Sequence, residues 1–300
     1  MKKSLIILTF LFFAILLYSC GEKPAFEYAD ADGGIEITAF NGEELSVAVP
    51  SEIDGKKVVG IGVSAFEGAG ITSVTLPDSL EYIGKYAFRR CPELSEVTLS
   101  ASLRVIGDGA FNFCVSLRKL TFPSTLETIG ENAFGLTPLR EVELPENVKT
   151  VGKYAFYSCA DLTSFRANDG LISLGERAFE GCTSLGEITL GKSLSEIGDY
   201  AFSGCVSLKT LGIPSGVTYI PDGCFRMTGF ESYTIPDGIT KVGDLAFAEC
   251  TFLTEVTFPD SVTETGTDLF AGVKDITLVG SIDSAAEIYA DYNGLRFRAG

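Results

Sequence analysis

Leu194-Ser195-Glu196-Ile197-Gly198-Asp199-Tyr200-Ala201-Phe202-Ser203-Gly204-Cys205-Val206-Ser207-Leu208-Lys209-Thr210-Leu211-Gly212-Ile213-Pro214 decides the fold, because most of the chain repeats it. Its Phe recurs at Phe66, Phe88, Phe111, Phe134, Phe156, Phe179, Phe202, Phe225, Phe247 and Phe270, with spacings of 22 or 23 residues throughout. A fixed period of this length marks a solenoid, in which each unit buries its apolar edge only against its neighbours. Length alone would suggest about two domains for 300 residues, but a solenoid grows without splitting its core, so one elongated body is expected.

Aligned on the Phe, an apolar residue and a Gly stand five and four positions earlier, as in Ile83-Gly84, Val151-Gly152 and Ile197-Gly198. Only Pro221 replaces the Gly and only Thr265 the apolar partner. A Gly column implies either a positive φ or a close approach of adjacent coils. Ala precedes Phe in most copies, as expected where a stacked aromatic leaves no room; Cys224 and Leu269 are the exceptions.

After the Phe comes Leu-x-x-apolar-x-apolar, as in Leu94-Ser95-Glu96-Val97-Thr98-Leu99, whose last residues alternate with period two and read as a short strand with one buried face. Pro closes it at Pro77, Pro123, Pro145, Pro214, Pro236 and Pro259, where the missing donor ends the ladder. Cys91, Cys114, Cys159, Cys182, Cys205 and Cys250 stand three places after the Phe. Cys159, Cys182 and Cys205 form an odd run and Cys250 has no neighbour in register, so a buried thiol column is favoured over disulfides or a metal. Copies with Ala69, Thr137 and Thr228 at this position reach their next apolar residue one place early and are followed by the 22-residue spacings.

The combined pattern I-G-x-x-A-F-x-x-C-x-x-L-x-x-V-x-L-P, from about Ile61 to Leu278, closely resembles the BspA-like leucine-rich-repeat proteins of bacteria and some protozoan parasites. The resemblance implies a curved, right-handed, mainly β repeat solenoid with parallel short strands and irregular or 3-10 turns opposite them. Ser284-Ala285-Ala286-Glu287-Ile288-Tyr289-Ala290 resembles the short helix that closes many members. It also implies a surface-exposed or secreted binding protein, several relatives being adhesins, and no catalysis. Phe165-Arg166-Ala167-Asn168 departs from the pattern, with Ala in the third apolar place and no Pro, and could carry a bulge or a special surface.

Lys2 and Lys3 precede an apolar run from Leu5 to Leu17, too short for a comfortable membrane span but fitting a secretory signal. Leu17-Tyr18-Ser19-Cys20 resembles a bacterial lipobox, with the bulky Tyr18 as a departure; the resemblance implies a mature chain lipidated at Cys20. The expected organisation is a signal peptide over 1–19, a linker and amino-terminal β cap over 20–60, about ten repeats over 61–279, and a carboxy-terminal cap over 280–300. Within the cap, 35–38 and 45–50 read as strands and Asp54-Gly55 as a tight turn; Asp30-Ala31-Asp32-Gly33 reads as a plain turn, lacking the later ligands of a calcium loop.

With 23 basic and 40 acidic residues the net charge is −17, which argues against nucleic acid or anionic lipid as partner. The absence of His removes triads and the usual zinc sites, and no cofactor or metal is expected. Function is therefore sought on the outward strand positions, where Glu96, Thr98, Lys119, Thr121, Glu141, Glu143, Arg166, Glu187 and Thr189 are candidate ligand contacts on a regular face of ten strands, on the order of 45 Å long. The outward positions make two columns, one through Glu96, Lys119, Glu141 and Glu187 and a Thr-rich one through Thr98, Thr121, Glu143, Arg166 and Thr189, and Lys119, Glu141, Glu143 and Arg166 interrupt their monotony in three successive units. The reading is a monomeric, lipid-anchored cell-envelope protein that binds an extracellular protein or glycan and meets the membrane only through its lipid. A periplasm-facing structural or assembly lipoprotein is the alternative, and a carboxylate hydrolase built on Glu141 and Glu143 a distant third.

Overall fold

The computed structural model describes residues 24–300, so the expectations for the signal segment and Cys20 lie outside the described residues. The chain winds as a mainly β solenoid of about twelve turns, closed by one helix, Ala285–Asn293.

Two ladders run along the solenoid. The second apolar pair, expected only to lead into the Gly, itself forms a two-residue strand. Tyr82–Ile83, Val105–Ile106, Thr128–Ile129, Thr150–Val151, Ser173–Leu174 and Glu196–Ile197 stack in parallel register onto Lys56–Ile61 and Gly34–Phe40. After an interruption the ladder resumes with Tyr219–Ile220, Lys241–Val242 and Glu264–Thr265. The opposite ladder comes in pieces: Ser46–Ala48 to Glu96–Thr98, Glu141–Glu143 to Glu187–Thr189, and Ser232–Thr234 through Glu255–Thr257 and Thr277–Gly280 to Arg296–Ala299. This corrects the expected unbroken face. Lys119–Thr121 and Thr210–Gly212 belong to no strand, and each lies in the copy immediately before a shortened turn, at Thr137 or Thr228. At both places the next strand starts one residue early relative to the copy before it.

The turns carrying the Phe column obey a backbone rule. The residues two before and two after every Phe have positive φ, among them Tyr86 and Arg90, Tyr154 and Ser158, and Gly223 and Met227. With those residues left-handed, alternate N–H groups turn inward and outward along the coil. The Ala87, Arg89 and Cys91 N–H groups donate within their own coil, to Gly84, Tyr86 and Phe88 carbonyls, while Tyr86, Phe88 and Arg90 donate to Asp108, Ala110 and Asn112 of the next. These six donors are thereby satisfied without a helix, and no 3-10 segment occurs among the described residues. The Gly column has ordinary φ; its reason is proximity. A Cβ on Gly175 would lie 2.5 Å from the Lys153 nitrogen, and one on Gly198 2.3 Å from the Glu176 nitrogen, both backbone atoms of the preceding coil.

The Phe rings stack one per coil, with centroids 5.2 Å apart for Phe88 and Phe111 and 5.7 Å for Phe179 and Phe202. Each thiol three places on donates to the carbonyl of the Phe one coil back, Cys91 to Phe66 at 3.0 Å and Cys182 to Phe156 at 3.1 Å. The Cys column is thus a row of buried, unpaired S–H donors as well as slot fillers, and Cys224 fills an Ala slot. Burial pushes the Cys159 thiol up to about 11 and the Cys182 thiol well above its ordinary value, so both stay protonated at neutral pH.

Segment 34–60, expected as a β cap, covers the end as a further coil. The Phe40 N–H donates to the Ala65 carbonyl as Phe66 donates to Ala87, and the Phe40 ring stacks 5.0 Å from Phe66. Phe26–Ala31 pairs antiparallel with Gly34–Phe40 and lays Phe26 against both rings. Asp32-Gly33 is a plain turn, as read from sequence. At the other end the closing helix sets Tyr289 edge-on to Phe270 at 6.0 Å, its hydroxyl accepting from the Leu269 N–H, and the chain returns as the strand Arg296–Ala299.

Candidate functional site

The strand Glu141–Glu143 buries Val142 and presents Glu141 and Glu143 to solvent; Ser164–Arg166 buries Phe165 and exposes Arg166. Beside them the copy Arg118–Phe122 runs without ladder partners. Among the described residues no N–H of this copy makes a backbone hydrogen bond, and only the Arg118 carbonyl accepts one, from Arg140 at 3.2 Å. The same coil keeps its turn-side bonds, Phe111 N–H to Ala133 O at 2.8 Å among them, and its two-residue ladder, with Gly130 N–H to Ile106 O at 2.8 Å, so the coils part on the strand face.

Two clefts result. The smaller, about 590 Å³, lies between Glu96–Leu99 and Lys119–Pro123 and carries Glu96, Thr98, Lys119 and Thr121. The larger, about 930 Å³, spans four coils and brings together Lys119, Thr121, Glu141, Glu143, Arg166, Glu187 and Thr189. All nine candidate side chains therefore line one or the other, with Lys119 and Thr121 on the shared wall. Leu120, Val142, Leu144 and Phe165 form an apolar floor, and Phe122 packs edge-on to Phe134 at 5.6 Å beneath it.

Sequence reasoning missed Arg118 and Arg140, which join Lys119 and Arg166 on the larger cleft. They stand just before the first outward position, a place not examined because Ser95, Thr163 and Gly186 occupy it in neighbouring copies. Arg118 is held by Asp161 at 3.0 Å, whereas Lys119, Arg140 and Arg166 take part in no ion pair among the described residues. Four cations here face four carboxylates, Glu141, Glu143, Glu146 and Glu187, so the cleft is locally balanced on a chain of net charge −17. Glu141 and Glu143 sit on one open strand with no third group ordered between them, a poor arrangement for paired acid–base chemistry. Phe165-Arg166-Ala167-Asn168 makes no bulge: Ser164–Arg166 stays in parallel register on both sides, and Asn168 replaces the Pro by donating its side-chain amide to the Pro145 and Val148 carbonyls.

Among the described residues no group of three or more His, Cys, Asp and Glu is placed to hold a metal ion, and no helix is long and apolar enough to cross a membrane. The buried thiols, six of them donating to carbonyls inside the coils, contribute nothing to either cleft.

The fold and the repeat have known counterparts. The family model for the BspA type leucine rich repeat region matches residues 35–163 and 149–277. A leucine-rich repeat protein from Bacteroides ovatus is similar at 27% identity with a TM-score of 0.79, the match covering 86% of this chain and 70% of that one. The T. pallidum leucine-rich repeat protein TpLRR is 38% identical with a TM-score of 0.60, covering 63% of this chain and 91% of that one. The pneumococcal vaccine antigen PcpA, at 19% identity and a TM-score of 0.52, shares the fold. No curated protein matches the sequence. With repeats matched over most of its length, the chain belongs to the BspA-type leucine-rich-repeat family.

Proposed function

We propose that the chain is a non-catalytic, lipid-anchored protein of the bacterial cell envelope that binds an extracellular protein or glycan through the two clefts of the strand face. The observation that carries this reading is the convergence of Lys119, Arg140 and Arg166, which form no ion pair among the described residues, over an apolar floor in a protein that is acidic as a whole. Such a floor accepts a side chain or the face of a sugar ring, and free cations select carboxylate or sulfate groups beside it.

Residues 24–300 probed against glycan and protein arrays should give a ligand whose binding is lost in Lys119→Ala/Arg140→Ala/Arg166→Ala at an unchanged unfolding midpoint. Equal binding by the triple variant would refute the assignment of the clefts. Anchoring at Cys20 has its own test: labelled palmitate enters the wild-type chain and not Cys20→Ser. Protease access on intact cells separates an outward-facing protein from one turned to the periplasm.

A further inference from the structure

Coil junctions with an open strand face, on both sides of Lys119–Thr121 and before Thr210–Gly212, keep the two-residue ladder, and among the described residues one junction lacks both ladders. Between the coil of Phe202 and the coil of Phe225 the two-residue ladder stops at Glu196–Ile197 and restarts at Tyr219–Ile220, and the strand face has no backbone pairing, only the Tyr233 hydroxyl donating to the Leu211 carbonyl at 3.3 Å. The backbone bonds that remain are on the turn side: Tyr200 N–H to Asp222 O, Phe202 to Cys224 and Gly204 to Arg226, at 2.8, 3.0 and 2.8 Å. At the junction before it, Ser195 and Gly198 N–H still reach Ile172 and Leu174 carbonyls at 3.0 and 2.9 Å.

The cause is legible in one residue. Pro221 occupies the Gly column, whose N–H donates to the preceding coil in its neighbours, Gly198 to Leu174 O and Gly243 to Ile220 O at 2.8 Å. Proline has no such donor, leaving the Ile197 carbonyl without its ladder bond. The column also has no room for a ring: a Cβ on Gly175, Gly198 or Gly243 would approach preceding backbone to 2.5, 2.3 and 2.7 Å, so a coil carrying Pro must stand away from the one before it. The ring stack records the displacement. Phe202 and Phe225 are 6.1 Å apart, against 5.7 Å for Phe179 and Phe202 and 5.5 Å for Phe225 and Phe247.

We propose that this junction is a joint: the coils before Ile213 and those after Val217 are two stiff segments that flex against each other about the turn-side bonds and the stacked rings, with Pro221 as the residue that creates the flexibility. Coil interfaces in a solenoid act nearly independently, so weakening one uncouples its two sides without loosening either. The opened strand face at Arg118–Phe122 differs in kind, because its second ladder is intact and only a cleft forms there. The joint does not depend on what the clefts bind.

The test is a distance distribution between nitroxides carried on p-acetylphenylalanine in the full chain. Positions Lys149 and Thr240 span the joint over four coils; Glu81 and Ile172 span four coils within the first segment and serve as the control, each pair about 19 Å apart by coil rise. The wild-type joint pair should show a broader distribution than the control, and Pro221→Gly should narrow it to the control width. Equal widths in the wild-type chain overturn the joint, a result readable even if the variant does not fold. A broad joint pair that stays broad in folded Pro221→Gly overturns the role given to the proline.

Discussion

Gly175→Ala and Gly212→Ala are the same chemical change with opposite expectations. At Gly175 the added Cβ would meet Lys153 N, Gly152 C and Gly152 O at 2.5, 2.6 and 2.8 Å, all backbone of the preceding coil, so nothing flexible can give way. Relief requires parting the coils, which lengthens the Gly175 N–H to Val151 O bond of 2.9 Å. Overpacking of this kind costs about 1–3 kcal/mol and a weakened backbone bond about 1 kcal/mol more, together about 2–4 kcal/mol. At Gly212 nothing lies within 4 Å of the Cβ and φ is not positive. There the loss of glycine's freedom in the unfolded chain should stabilise by about 0.4–1 kcal/mol. Urea melts followed by far-ultraviolet circular dichroism suit a chain with no Trp, and midpoints rather than extrapolated free energies should be compared, since a jointed solenoid need not unfold in one step. The Gly175 midpoint should fall and the Gly212 midpoint hold or rise. Equal shifts would show that the Gly column is not kept by coil proximity.

Arg90 is exposed with φ 57° and no side-chain partner, so Arg90→Gly should relieve about 1–2 kcal/mol of left-handed strain against about 0.5–1 kcal/mol of added chain entropy, a net stabilisation read from the same midpoints. The Cys159 thiol, ordinarily at 9, is raised by burial to about 11, so the unfolded chain loses its proton first and stability should fall as pH rises from about 9 to about 11. In Cys159→Ala the midpoint should decline less steeply across that window, by up to about 1.4 kcal/mol per pH unit; an unchanged slope would contradict the buried, protonated thiol. Phe202→Ala, which empties a fully buried place in the ring stack, should cost about 3–5 kcal/mol in the melt while leaving ligand affinity of the folded protein unchanged.

What recurs was readable from the residues. The period, the strand in most copies and the row of unpaired thiols each follow from a column in which one residue type solves one local packing problem in coil after coil, while the closing helix was implied by the family resemblance of Ser284–Ala290. Two further features were present but unread. Ala39-Phe40 carries the Ala-Phe pair of the repeat, displaced from period by a coil of unequal length, and so the first ring of the stack went uncounted. The left-handed residues flanking each Phe leave almost no trace in composition, because Tyr, Arg, Leu, Asn and Gly all occupy them. There the outward and inward bonding of alternate N–H groups outweighs the intrinsic cost of the backbone, so side-chain preference is overruled in every turn.

The clefts were legible only in part for a different reason. Lys119, Glu141, Glu143 and Arg166 stand out as departures within columns, but a column assumes that neighbouring coils stay in register. Register is a relation between two copies: the shortened turn at Thr137 alters its own copy by one residue, and the consequence appears in the copy before it, at Arg118–Phe122. Pro221 works in the same way, since the bond it withholds belongs to Ile197 in the preceding coil. In a molecule built from one repeated solution, places able to recognise a partner or to move are made where one copy stops fitting the next. Irregularities of length and of the Gly column are accordingly better guides to them than any exposed residue type taken singly.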